Sequence, residues 1–271
     1  MKSVLTVAMS RFAKNFVKKH ILRDLPEKSV RKWVERELEQ RIVRSGPFQN
    51  MKYGERSRSI GLVHASAYYP KLLGTYELEI ASFIRRIGNL RADRIVDVGA
   101  AEGYYAVGLA LITNAQVVAF EAHGTETLLA LATLNSVAHR ITAHTICDAA
   151  GLRAAVDGAS RAFVFMDIEG GESILLDPLV VPEISKAWII VEVHDCFIPG
   201  TTELLKHRFA TSHRIEEVWS RQRCPEDFPL QYHARWFDPS MYYLEYMGER
   251  SVKTNWLYLE PIIFGDQIQE R

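Results

Sequence analysis

The stretch Arg94-Ile-Val-Asp-Val-Gly-Ala-Ala-Glu-Gly-Tyr-Tyr105 decides the fold. An apolar, β-branched run, Ile95–Val98, breaks at Gly99, and a helical pattern follows over Tyr104–Ile112. A glycine where a strand ends lets the backbone turn sharply and approach a ligand closely. The same texture then repeats downstream. Val117–Phe120, Ile141–Cys147, Ala162–Met166 and Trp188–Val193 are short apolar runs, and helical patterns separate them near Thr125–Ala138, Glu172–Leu176 and Thr202–Phe209. Runs of four to seven residues, nearly all apolar, suit strands covered on both faces. Five such alternations imply right-handed crossovers and a doubly wound, mostly parallel sheet. Ile215–Trp219 and Trp256–Leu259 add two strands, for seven in all, around an insertion at about 220–254 whose helix opens at Asp238-Pro239-Ser240.

Upstream of this α/β unit the chain changes character. Residues 1–60 carry fifteen Lys+Arg against six Asp+Glu, and the rest carries the opposite imbalance, so a net charge of zero conceals a basic head on an acidic body. Leu5, Met9, Phe12 and Phe16 fall on one helical stripe between basic residues. That stripe leaves two uses open: packing on the body, or weak peripheral contact of residues 1–23 with an anionic membrane. Arg11, Lys14 and Lys18 interrupt any apolar segment of the kind a secretory signal needs. Asp24-Leu-Pro-Glu27 reads as a helix start, with Val30, Trp33, Val34, Leu38 and Ile42 continuing an apolar stripe to Arg44. Phe48–Pro70 reads as a loop crossing the body, and Glu77–Gly88 as a further helix. Residues 1–75 are therefore expected to form a helical cap, and residues 76–271 the α/β domain.

Composition narrows the class. The 271 residues are 48% hydrophobic and 24% charged, which is globular and excludes disordered, collagen-like and rod-like chains. Three cysteines without a CxxC pair suit neither a disulfide framework nor a four-thiolate zinc site, and imply a reducing, cytoplasmic setting. No apolar run approaches the ~20 residues of a membrane span. No basic-aromatic platform for nucleic acid is present in the pattern. The patterning specifies no oligomeric state.

Sheets of this kind bind ligands beyond the carboxyl ends of their strands, at the switch point beside the first strand. A dinucleotide fingerprint would put glycines at positions 99, 101 and 104; the chain has Gly99, Ala101 and Tyr104. The bulky Tyr104 argues against a pyrophosphate. Asp97 and Glu102, around Gly99–Gly103, suit a cationic sulfonium or ammonium instead. Glu121, twenty-two residues beyond Gly99, stands where a carboxylate accepts from both ribose hydroxyls. Asp148 ends the third strand and reads either as a contact to an adenine amino group or as a helix cap. Tyr76 is a pocket-wall candidate, and Glu77 is within reach of a ligand ammonium.

Val96-Asp-Val-Gly-Ala-Ala-Glu-Gly103, Val118-Ala-Phe-Glu121 and Phe165-Met-Asp-Ile-Glu-Gly170 resemble the Rossmann-like, S-adenosylmethionine (SAM)-dependent methyltransferases. Asp167-Ile-Glu-Gly-Gly-Glu172 in particular is similar to the D-x-E-G-x-E stretch of the FkbM-type family, and the resemblance spans roughly Thr75–Phe209. It implies SAM as cofactor and an oxygen of a saccharide or natural-product small molecule as acceptor. Asp97, Gly99, Ala101, Glu102, Gly103, Glu121, Asp148, Tyr76 and Glu77 are the cofactor candidates. A hydroxyl acceptor needs its proton removed or its oxygen polarised. His194, Asp167, Asp195 and Glu169, at the ends of strands four and five, are the catalytic candidates. His194 has the pKa of a general base, with Asp195 or Asp167 to orient it. Alternatively Asp167, Glu169 and Asp195 hold Mg²⁺ behind the acceptor. Competing classes are a SAM-binding module without catalysis, a peripheral membrane adaptor, and an NAD-dependent oxidoreductase, the last disfavoured by Tyr104 and by the absence of a Tyr-x-x-x-Lys dyad.

Overall fold

Seven strands form one sheet in the computed structural model, which describes residues 22–54, 67–233, 237–249 and 253–262. They are β1 (Arg94–Val98), β2 (Gln116–Phe120), β3 (Ile141–His144), β4 (Ala162–Met166), β5 (Trp188–Val193), β6 (His213–Trp219) and β7 (Asn255–Pro261). Their order is β3-β2-β1-β4-β5-β7-β6; β1 to β5 are parallel and β7 runs antiparallel to both of its neighbours. This is the doubly wound, mostly parallel seven-stranded sheet expected from the sequence. Its order reverses between β1 and β4, so the crevice for a ligand opens above those two strands.

Alternation along the strands divides the core in two. Ile95, Phe163, Phe165, Ile190 and Trp256 face one side, where they meet helices α3 (Ala81–Asn89), α4 (Tyr104–Ile112) and α5 (Glu126–Leu134). Val96, Val98, Val164, Met166, Ile189 and Val191 face the other, against α6 (Ala149–Val156) and α8 (Thr201–Phe209). The short α7 (Glu172–Leu175) connects β4 towards β5. On the first side the described part of the amino-terminal segment adds a further layer. Val30 and Val34 of helix α1 (Leu22–Glu37), with Leu38, Val43 and Phe48, belong to the same buried cluster as the sheet. Trp33 reaches the insertion, its ring tilted against Phe228 at 6.2 Å and Tyr232 at 5.1 Å.

Several boundaries differ from those read in the sequence. The helix expected from Asp24 to Arg44 includes Leu22 and stops at Glu37, with Pro26 inside it. Beyond it the chain turns at Leu38–Gln40, takes a left-handed step at Arg41 (φ 53°) and doubles back, Val43 N–H donating to Met51 O at 2.9 Å. The apolar spacing continues through this hairpin and imitates a helix. A short helix α2 (Tyr68–Leu73) begins within the last residues of the expected loop and runs past its end at Pro70, and β3 ends at His144, three residues early. Helix α6, unread in the sequence, occupies Ala149–Val156. The insertion carries α9 (Ser240–Tyr243) after Asp238-Pro239, as expected. The basic stripe of residues 1–23 lies almost wholly outside the described residues. No described helix is long and apolar enough to cross a membrane.

Candidate active site

The turn after β1 is built by close approach. Gly99 lies at φ 88°, and both its N–H and that of Ala100 donate to Phe120 O at 3.0 Å, tying the turn to the end of β2. A Cβ on Gly99 would stand 1.8 Å from Asp167 O, so no side chain fits where the β1 and β4 loops meet. Ala101 follows in the left-handed region (φ 48°), and its N–H donates to Glu121 Oε2 at 2.7 Å. The other Glu121 oxygen accepts from His123 N–H at 2.8 Å. The carboxylate is thus clamped at the strand end by two backbone donors, with lone pairs left for a ligand.

Above this turn lies a crevice of about 480 Å³, within the usual size of small-molecule sites. Asp97, Gly99, Ala101, Glu121, Asp167 and Glu169 line it, with Tyr76, Tyr104, Tyr105 and Phe165 as an aromatic wall. Cys147 lines it as a neutral thiol, since burial and then Asp148 push it up to about 12. Asp97 is fully buried, and neither of its oxygens has a hydrogen bond. Burial first, then the charge of Asp167, raise its pKa to about 8. Lys71 also lines the crevice, but its ammonium is committed to Glu102, which accepts as well from the Tyr53 hydroxyl (2.8 Å). Burial pushes the Glu102 carboxyl up, but Lys71 and Tyr53 outweigh it and hold it below the usual range.

Beside the crevice, carboxylates surround one imidazole. Strand parity explains how. Val98, Met166 and Val191 are in register across β1, β4 and β5, so Asp167 follows β4 one step on, beside Glu192 of β5. His194, two residues further, points to the same face. Its Nε2 lies 3.7 Å from Asp167 Oδ1, 3.3 Å from Glu169 Oε2 and 3.8 Å from Glu192 Oε2. Its Nδ1 lies 2.7 Å from Glu172 Oε1. Glu172 in turn accepts from the N–H groups of Ile168 (3.4 Å) and Gly170 (3.2 Å). Glu169 sits at φ 55° ahead of Gly170 at φ 111°, a turn that places its exposed carboxylate over the ring. Burial lowers the His194 pKa, but the bond to Glu172 and the charges of Asp167, Glu172 and Glu169 more than offset it, for a net rise.

The expected residues thus separate into groups. Asp97, Gly99, Ala101, Glu121 and Tyr76 share the crevice lining, joined by Asp167 and Glu169. Glu102 is turned away, because the buried Lys71 demands its charge. Gly103 begins α4, packed against Leu128, and Glu77 is buried accepting from the Tyr105 hydroxyl at 2.5 Å; neither lines the crevice. Asp148 caps α6, accepting from Gly151 N–H at 2.7 Å, and of its two readings the cap is the one the geometry shows. Asp195 accepts from the N–H (3.1 Å) and hydroxyl (2.6 Å) of Thr202, so it neither orients His194 nor joins Asp167 and Glu169. Three contributors were overlooked in the sequence. Glu192 gives a signal, as one carboxylate inside the apolar run Trp188–Val193. Glu172 stands three residues after Glu169, within reach of the loop it braces. Lys71 has no local signal.

No protein-family model matches the chain, and no curated protein does. Solved structures similar to it include an O-methyltransferase of Klebsiella pneumoniae, described as putative, at 14% identity and TM-score 0.42, covering 67% of this chain and 78% of that one. The O-methyltransferase TomG of Streptomyces achromogenes, involved in tomaymycin synthesis and solved with SAM, is 15% identical at TM-score 0.43, covering 73% and 88%. A Bacillus cereus O-methyltransferase in complex with SAH is 13% identical at TM-score 0.44, covering 66% and 79%.

Proposed function

We propose that this chain transfers a methyl group from SAM to an oxygen of a small-molecule acceptor, a saccharide or natural product, as an FkbM-type methyltransferase. The observation that carries the reading is the charge of the crevice. Glu121, Asp167 and Glu169 line it beside Asp97, whose proton a cationic ligand would displace, while Lys71, its one lysine or arginine among the described residues, is engaged by Glu102. A diphosphate would meet repulsion there, whereas a sulfonium and an ammonium meet attraction. That disfavours a nicotinamide dinucleotide. Glu121 is held where it accepts from two ribose hydroxyls, and the unsatisfied Asp97 suits the cationic end of the donor. When bound, SAM supplies the electrophilic methyl carbon.

The protein's own share is alignment and exclusion of water, with the tyrosine and phenylalanine wall enclosing one flank. Asp167 and Glu169 border the same space, and Glu169 is exposed to take the hydroxyl proton, with His194 3.3 Å behind it. Calorimetry with S-adenosylhomocysteine tests the reading. Binding is expected, with Glu121→Ala weakening it by about 10-fold or more, the scale of a charge-assisted hydrogen bond. NADH is expected not to bind. A wild-type dissociation constant weaker than about 1 mM, roughly −4 kcal/mol, overturns it.

A further inference from the structure

We propose that Asp167, Glu192 and His194 form a binding site for one first-row divalent cation such as Mn²⁺, adjoining the donor crevice. One ligand atom from each lies within 4.8 Å of the others. The Nε2 separations of 3.7 and 3.8 Å to the two carboxylates are those of ligands about 2.2 Å from a shared ion at an angle of roughly 115°, within the usual range for nitrogen and carboxylate ligands. The two separations from His194 are therefore already those of a shared ion.

The other ring nitrogen supplies an independent argument. Glu172 grips Nδ1 at 2.7 Å and is itself fixed by two backbone N–H groups. With Nδ1–H donating to that carboxylate, the Nε2 lone pair faces Asp167 and Glu192. This is the arrangement by which proteins fix a metal-binding histidine. The Glu172 Oε2 atom is buried without a hydrogen bond, so the patch carries more negative charge than its own donors satisfy. Glu192 and His194 are buried, but Asp167 is 25% exposed and lines the crevice, which gives the ion its path of entry. Glu169, 66% exposed and 3.3 Å from Nε2, stands at the open side as a fourth ligand or as a partner for a hydroxyl.

Mixed nitrogen and carboxylate donors select Mn²⁺, Co²⁺ or Zn²⁺ over Mg²⁺, which prefers an all-oxygen shell. The site stands on its own geometry. Its use, polarising the acceptor oxygen beside the methyl donor, rests on the methyl-transfer reading above.

Titration of the full chain with Co²⁺ in the absence of donor tests the site directly. Visible d–d absorption saturating at one ion per chain is expected, and Mn²⁺ should displace it. Asp167→Asn and Glu192→Gln should each weaken Mn²⁺ binding at least about 10-fold, and Glu172→Gln about 10- to 100-fold although it does not touch the ion. Far-ultraviolet circular dichroism and the urea midpoint serve as folding controls, and Asp167→Asn, on the partly exposed residue, remains informative should the buried Glu192→Gln fail to fold. Absence of a saturable Co²⁺ spectrum, equal Mn²⁺ affinity in Asp167→Asn, or Mg²⁺ binding as tightly as Mn²⁺ would each overturn the proposal. Loss of S-adenosylhomocysteine binding with the Co²⁺ site intact would instead remove the methyl-transfer reading and leave the site standing.

Discussion

Asp97 is the residue whose environment most directly constrains chemistry. A carboxyl held at about 8 in the folded protein, against 3.8 for the ordinary side chain, keeps a proton in the native state that the unfolded chain has already lost. Between those values the native state binds more protons, so Asp97 makes the donor-free protein lose stability as pH rises from about 4 towards 8, with no further change above. A cationic donor beside Asp97 reverses the preference and expels the proton. Affinity for SAM is therefore expected to climb with pH through the neutral range and level off above about 8. Asp97→Asn should flatten that profile, and calorimetry in two buffers of different ionisation enthalpy would read the released proton directly. The place of Asp97 in the crevice lining was legible in the sequence from its position at the end of β1. Its unsatisfied burial was not, because β2 and β4, which flank β1 on either side, arrive from elsewhere in the chain.

At the level of elements, β1, β2, β4, β5 and α4 were readable because each is a short apolar run or a helical period bounded by turn residues. Helix α6 was not. Asp148 admitted two readings, Gly151 weakens the helical pattern, and the strand before it is shorter than its apolar run. The 41–53 hairpin escaped for the opposite reason, since Ile42 falls where a helical stripe would put it. Asp195 and Glu192 show the same limit within the candidate site: Thr202, on the next helix, claims the carboxylate that looked available, while the one inside an apolar strand faces the histidine. Packing between elements also inverts an intrinsic preference on α4. A Cβ at Gly108 would stand 2.5 Å from the Phe48 ring. Glycine to alanine inside a helix ordinarily stabilises by about 1 kcal/mol. Here Gly108→Ala is expected to destabilise by about 1–3 kcal/mol, the usual cost of overpacking. Urea denaturation measures it, and in the Phe48→Ala background the same change should become neutral or favourable.

Across the whole molecule, the insertion is fastened to the body by the ring contacts of Trp33 and by a buried guanidinium. Arg223 donates to Glu249 at 3.0 and 2.8 Å, to Glu79 at 2.9 Å and to Thr75 O at 3.2 Å, with all three charged side chains nearly buried. Burial raises the Glu249 carboxyl to about 8 even with Arg223 alongside, which lowers it. Removing the cation strands two carboxylates, so Arg223→Met is expected to cost about 3–5 kcal/mol in chemical denaturation. Adding Glu249→Gln should restore part of that loss, because only one carboxylate then remains stranded. The amino-terminal layer is joined to the donor turn by the Tyr53–Glu102–Lys71 trio, in which two members come from the segment before residue 75 and the third from the loop after β1. Any exchange of this amino-terminal quarter between proteins must therefore carry Tyr53 and Lys71 with it. A graft that omits them would leave an uncompensated anion sealed behind a tyrosine wall, and the α/β body would not tolerate the swap as an independent module.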